Sequence, residues 1–353
     1  MDIAFPSPLP DPARPTRRRA VALAGGALAG AALALPAVAA GAAGAAGDRL
    51  VFDHAWGRTV LPAPARRVVS LGYTSHDTLL ALGVVPVALR HWYGGDDSGI
   101  WPWAEPLLHG ARPPVLRGEV SMERVAAEAP DLIVAIGAGI SRAEYAVLDR
   151  IAPTLVHSAG TSPYGTGWRE MTMVLGRATG RDDRAGTLVA EVEARLAAAR
   201  ARHPGWAGQT AAAAYHWAGT SGAFLPGDAR ADFLAALGFA IPPAIAALAG
   251  RGDFFRDLSP EDLSPLDAGV LVWVSALAAD PDLAALPMRR TLAAHRQGRE
   301  VFAGPLASAA MAHASVLSIP FALQALEADL AAAADGDPAT PVPSAVAAGL
   351  VAS

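Results

Sequence analysis

Eight aromatic side chains and two arginines fall where apolar runs end. Tyr73 follows Val68-Val69-Ser70-Leu71, and Trp92, Tyr93, Trp101 and Trp103 crowd the stretch after Val84–Leu89. Tyr215 and Trp217 close a run that starts at Thr210, and Trp273 lies near the end of Val270–Ser275. Arg117 comes directly after Val115-Leu116, and Arg142 follows Leu132–Ile136. Rings in such places offer flat faces to an organic ligand, although the same rings also fit core packing. An arginine there is either a solvated charge or a bidentate grip on an anionic oxygen.

Chemistry of other kinds is missing. The chain has no Cys, so it has no disulfide, thiol nucleophile or Cys-ligated metal. It has no Lys, which excludes a lysine-bearing phosphate loop and Schiff-base catalysis. The nine histidines are scattered without metal-ligand spacing. Gly137-Ala138-Gly139 follows an apolar run, as a dinucleotide loop would, but the third glycine position holds Arg142. Ser221 sits in Gly219-Thr220-Ser221-Gly222, which is not a nucleophile elbow. No nucleophile and base stand together, which favours binding over turnover. An α/β enzyme using the same ends of strands is the rival reading.

These residues need a frame, and the frame is written twice. Ala81-Leu82-Gly83-Val84-Val85-Pro86 returns as Ala236-Leu237-Gly238-Phe239-Ala240-Ile241-Pro242. Ser121-Met122-Glu123 running to Asp131-Leu132-Ile133-Val134 returns as Ser259-Pro260-Glu261 running to Asp267 and Val270-Leu271-Val272. Each copy reads as helix, glycine stop, strand, then an acidic helix and a second strand. Apolar runs alternating with helical patterns imply βα units. Between the copies, Asp182–Arg202 is one long helix, with Ala185, Leu188, Val189, Val192, Leu196 and Ala199 on one face. The expected fold is α/β: two Rossmann-like lobes with central, mainly parallel sheets, joined by one long interdomain helix. The lobes span 48–180 and 204–335, the connector 181–203, and a Pro/Ala-rich disordered tail 336–353. Ser315–Ala334 reads as a closing helix kinked by Pro320. The space between two lobes is where a ligand would sit.

Residues 1–47 read as an export signal and spacer. Thr16-Arg17-Arg18-Arg19 precedes a weakly apolar Ala/Gly stretch that ends in small residues at Ala37-Val38-Ala39, a twin-arginine pattern. A retained anchor is the alternative. With no Cys after the apolar stretch, a lipoprotein is excluded. The chain carries a net charge of -5 despite this basic start, so the rest is acidic and nucleic acid is not its partner.

Taken together, these stretches resemble the iron–siderophore and cobalamin binding proteins of ABC importers. The resemblance rests on Arg67-Val68-Val69-Ser70-Leu71 and Ala81–Val87. It rests further on Leu116-Arg117-Gly118-Glu119-Val120-Ser121-Met122-Glu123, on Ala129-Pro130-Asp131-Leu132-Ile133, on Ile151-Ala152-Pro153-Thr154 and on Leu317–Leu323. It implies an exported monomer, without cofactor, that captures a ferric siderophore and hands it to a membrane permease. It implies that Arg117 holds the iron-chelating oxygens, and that Glu123 and Glu261 dock the two lobes on the permease. The siderophore would hold the iron itself. Ile140 stands near where the hydroxamate binders of this family often carry Tyr, and Gly252-Asp253-Phe254-Phe255-Arg256 replaces their Trp-rich segment. The resemblance therefore leaves the chelator open, with haem or a corrinoid as the other cargo.

Overall fold

Apolar runs without alternation build the centre of the first lobe. The computed structural model describes residues 49–94, 97–250, 252–274 and 280–350. The expected export signal and residue Ser275 lie outside them. After an N-terminal hairpin of β1 (Leu50–His54) and β2 (Gly57–Leu61) come β3 (Val68–Ser70), β4 (Ala88–Arg90), β5 (Val115–Leu116), β6 (Leu132–Val134) and β7 (Thr154–Leu155). The last five form one all-parallel sheet in the order β5-β4-β3-β6-β7. Val68, Val69, Leu132, Ile133 and Val134 are fully buried. Strands covered on both faces need such continuous apolar sequence.

Four helices cross between or follow these strands: α1 (Ser75–Ala81), α2 (Met122–Ala127), α3 (Arg142–Ile151) and α4 (Trp168–Thr179). Ser121 caps α2 by accepting from Arg124 N, and Ser141 with Glu144 forms a reciprocal cap on α3. The connector α5 (Asp182–Arg202) is an unbroken helix of 21 residues. Its buried stripe is Ala185, Leu188, Val192, Leu196 and Ala199, at the expected spacing. These residues belong to one apolar core that runs from Phe52 and Leu132 in the first lobe to Leu271 and Leu326 in the second.

The second lobe differs from expectation in its sheet. Strands β8 (Ala211–Trp217), β11 (Val270–Trp273) and β12 (Glu300–Phe302) are parallel, but β9 (Thr220–Phe224) and β10 (Phe255–Asp257) add antiparallel pairings, in the order β10-β9-β8-β11-β12. The sheet is therefore mixed. The hairpin between β8 and β9 turns through Ala218 (φ 49) and Gly219 (φ 81). Two successive left-handed residues match the twist of paired antiparallel strands.

The twin helix–glycine stops are present: α1 is followed by Gly83 (φ 77), and α6 (Ala229–Ala236) by Gly238 (φ 102). The second acidic helix is absent. Residues 259–262 form a turn with Pro260 inside it and Pro265 beyond it; Asp262 N donates to the Ser259 carbonyl at 3.0 Å and its side chain accepts from Ser264 N at 2.9 Å. A helix at Gly304–His313 precedes a second at Ser318–Ala333, which is the closing helix expected over Ser315–Ala334. Pro320 is the third residue of the second, in the first turn, where a backbone N–H would have no partner within the helix, so it does not kink the helix. The segment expected as a disordered tail carries a helix at Pro343–Ala348. It is tied down by Phe302 N donating to Ser344 Oγ, by Ser344 N donating to Asp329, and by Arg289 donating to the Leu350 carbonyl.

Candidate functional site

The first sheet starts in the middle, at β3, and then grows outward in both directions. The carboxyl ends of β3, β4 and β6 thus surround a switch point, where open α/β sheets bind ligands. Tyr73 follows β3, Trp92 and Tyr93 follow β4, and Gly137 follows β6; all four line one large cavity. The opposite wall is the second lobe: Tyr215 and Trp217 from the end of β8, Phe224 from β9, Phe255 from β10 and Arg230 from the first turn of α6. Leu196 of the connector also lines the cavity, which has a volume of about 790 Å³. That is the size of a site for one small organic molecule.

The first-lobe wall is a stack of rings. Trp92 and Tyr73 lie 5.6 Å apart at 17°, and Tyr73 and Tyr164 lie 6.3 Å apart at 4°. Arg90 lies over the Tyr73 ring at 4.7 Å. Its Nη1 donates to the Ala138 carbonyl at 2.9 Å and its Nη2 to the Gly118 carbonyl at 3.1 Å. One guanidinium thus joins the loops after β5 and β6 to the ring stack. Tyr164 can stand there because residue 139 is glycine. Gly139 has φ 62, and a Cβ on it would meet the Tyr164 hydroxyl at 1.8 Å. Tyr164 reaches the cavity from the loop before α4. Burial pushes the Tyr164 phenol up.

The second-lobe wall holds a buried ion pair. Arg230 Nη1 contacts both Asp228 oxygens, at 3.2 and 2.9 Å, and its guanidinium lies 4.2 Å over the Phe224 ring. Asp228 also caps α6, accepting from Arg230 N at 2.9 Å. Burial pushes the Asp228 carboxyl up, while Arg230 pulls it back down. Asp257 accepts from the Tyr215 hydroxyl. Burial also pushes the Tyr93 phenol up to about 12 and the Tyr215 phenol up. Among the described residues, no group of His, Asp and Glu is arranged to hold a bare metal ion.

Beside the cavity the lobes are tied together. Asp77 of α1, fully buried, accepts from Trp103 Nε1 and from Ser315 Oγ of the second lobe, both at 2.7 Å. Ser315 also caps the helix Ser318–Ala333, accepting from Ser318 N at 3.0 Å. Trp101 and Trp103 stack 5.3 Å apart at 5°, and Trp103 also packs on Phe321 of the second lobe. His313 lines the cavity among these rings, with its Nδ1 3.0 Å from the Ala309 carbonyl. Burial pushes its pKa down to about 4.

A family model described as "Periplasmic binding protein" matches residues 68–304. The chain belongs to this family. A periplasmic solute binding protein from Mycobacterium smegmatis is 35% identical, with a TM-score of 0.72 covering 81% of this chain and 99% of that one. The Streptococcus pneumoniae protein PiaA, solved in complex with ferrichrome, is 25% identical, with a TM-score of 0.70 and the same coverage. The ferric enterobactin-binding periplasmic protein FepB of Escherichia coli O6:H1 is 28% identical over 271 residues, 70% of this chain and 83% of FepB.

Within this periplasmic binding protein, the expected site residues separate. Tyr73, Trp92, Tyr93, Tyr215 and Trp217 come together in the cavity. Trp101 and Trp103 lie outside its lining and pack between the lobes. Trp273 is 1% exposed in the core, where its Nε1 donates to Glu300 at 2.8 Å. Arg117 follows an edge strand and pairs with Asp97 at 3.1 Å, and Arg142 is exposed at the start of α3; neither lines the cavity. Glu123, in the first turn of α2, and Glu261, in its turn, are both exposed. Tyr164, Arg90, Asp228, Arg230 and His313 join the site from outside the residues that sequence pattern singles out. A phenol between Pro163 and Gly165, and an acid–arginine pair spaced to cap a helix, were the only sequence signals for them.

Proposed function

We propose that this chain captures a ferric siderophore outside the cytoplasm and delivers it to the permease of an ABC importer. The observation that carries the reading is the interlobe cavity, walled by stacked rings on one side and by a hydrogen-bonding arginine on the other. Rings can cover the organic periphery of a chelate, while Arg230 can donate to its oxygens. The iron arrives and leaves inside its chelator, and no bond is made or broken. Similarity to PiaA and to FepB, each named with a ferric siderophore, supports the same cargo class. The twin-arginine stretch Thr16–Arg19 would export the chain, which, with no Cys, would carry no thioether-linked lipid, and it would act as a monomer. Exposed Glu123 and Glu261, one on each lobe, would meet basic pockets of the permease.

Titration of the iron-free chain tests this. Ferric siderophores should quench the tryptophan fluorescence saturably, because Trp92 and Trp217 line the cavity, and they should be recovered unchanged. Haem and a corrinoid, the other cargo candidates, should not saturate the signal. A chain that binds either of these and no ferric chelate, or that converts the chelate, would overturn the proposal.

A further inference from the structure

We propose that the cavity selects its cargo by charge: it accepts a ferric chelate with no net negative charge, of the tris-hydroxamate kind, and rejects the trianionic tris-catecholate kind. This rests on the siderophore reading above. Three hydroxamates cancel the charge of a ferric ion, whereas three catecholates exceed it by three. A trianion leaving water for a half-enclosed aromatic cavity needs unbalanced cations to replace its hydration.

The described cavity offers none. Its charged lining residues are two arginines and four carboxylates: Arg169, Arg230, Glu170, Asp228, Asp232 and Asp257. Arg230 is held by both oxygens of Asp228, and Arg169 by Glu193 at 2.6 Å. Among the described residues, Glu170 and Asp257 accept from the hydroxyls of Ser158 and Tyr215, and Asp232 accepts from Gly227 N. The nearby arginines do not alter the balance. Arg90 lies against Tyr73 with both terminal nitrogens on carbonyls, and Arg117 is outside the lining and paired with Asp97. Burial holds His216 and His313 below the ordinary histidine range, so both are neutral at neutral pH. Arg230 nonetheless keeps donors beyond the Nη1 given to Asp228. Its charge is cancelled by Asp228, and although Tyr93 also interacts with it, the guanidinium carries five N–H groups, more than these two partners take, which suits the oxygens of an uncharged chelate.

The test compares ferrichrome, an uncharged tris-hydroxamate, with ferric enterobactin, a trianionic tris-catecholate, on the whole iron-free chain by tryptophan quenching. Ferrichrome should bind about a hundredfold tighter or more, as expected for a like-charge penalty in a partly desolvated site. Asp228→Asn removes the counter-charge of Arg230 while keeping an equally good helix cap. It should narrow the ratio by about tenfold in favour of the trianion. If that variant does not fold by circular dichroism, Asp257→Asn should shift the ratio in the same direction. Equal or tighter binding of ferric enterobactin by the unaltered chain would overturn the charge proposal and leave the importer reading standing. Binding of neither chelate would remove both. A ratio unmoved in a folded Asp228→Asn chain would show that charge is not what discriminates.

Discussion

Asp77 is the side chain whose loss should most clearly uncouple the lobes. It is fully buried, and one carboxylate oxygen takes hydrogen bonds from Trp103 Nε1 and Ser315 Oγ, each at 2.7 Å. The other oxygen has no hydrogen-bond partner among the described residues, and His76 Nε2 lies 3.5 Å from it. Asp77→Ala strands one buried donor, Ser315, and one half-buried donor, Trp103, at about 1–3 kcal/mol for each that is cut off from water. Removing a poorly matched buried carboxylate returns part of its desolvation cost. The expected net loss is therefore about 2–4 kcal/mol. Asp77→Asn, which keeps one accepting oxygen, should lose about half as much. Urea unfolding gives the loss directly. A double-mutant cycle with Ser315→Ala then isolates the part that crosses the lobes, expected at about 1 kcal/mol or more. Ligand affinity should weaken together with stability, because the bond holds the two cavity walls in register. Asp77→Ala within about 0.5 kcal/mol of the unaltered chain, or a coupling energy of zero, would refute the reasoning.

Two other outcomes follow from the same site. Burial lowers the folded-state pKa of His313 from 6.5 to about 4, so the folded chain holds it neutral where the unfolded chain protonates it. Its stability contribution is complete above pH 6.5 and declines as the pH falls toward 4, by about 3 kcal/mol in all. Urea midpoints between these pH values should show the slope, and His313→Gln should flatten it. Gly139→Ala combines an unfavourable positive φ with a collision against Tyr164. It should cost about 1–2 kcal/mol and weaken ferrichrome binding, and unchanged binding in a folded variant would mean that Tyr164 does not touch the cargo.

The sequence showed some of these features plainly and hid others for physical reasons. The connector was legible to its ends because its apolar stripe repeats at helical spacing over 21 residues, with Asp182 and Asp183 at its start and Arg200 and Arg202 at its finish. The first sheet was legible because parallel strands buried on both faces are apolar throughout. The antiparallel arm of the second lobe was not. Ala211–Ala214 carries no alternation, and the turn at Ala218-Gly219 lacks the usual Asn, a residue this chain does not contain. Tryptophans at strand ends could not be sorted by sequence. Trp92 lines the cavity while Trp273 is tied into the buried network of Arg289, His295 and Glu300. Arg117 follows a strand, but β5 is the edge of its sheet, away from the switch point. No sequence pattern marks Arg230, because its place depends on how α6 faces the other lobe.

The architecture also bears on how a cargo can be held. Bending the lobes apart would have to break the hydrogen-bond ladder of α5 or peel its buried stripe from a core shared by both lobes. It would also have to break the Asp77–Ser315 bond and unpack Trp103 from Phe321. Each of these contacts lies beside the cavity or forms part of its wall, as Leu196 and Ser315 do. A ligand therefore meets walls whose spacing is set before it arrives, and little of its binding energy goes into ordering them. The consequence is a demand on fit. With the walls fixed and the charges of Arg230 and Asp228 already cancelled, discrimination falls on the size and charge of the chelate rather than on how far the lobes can close around it.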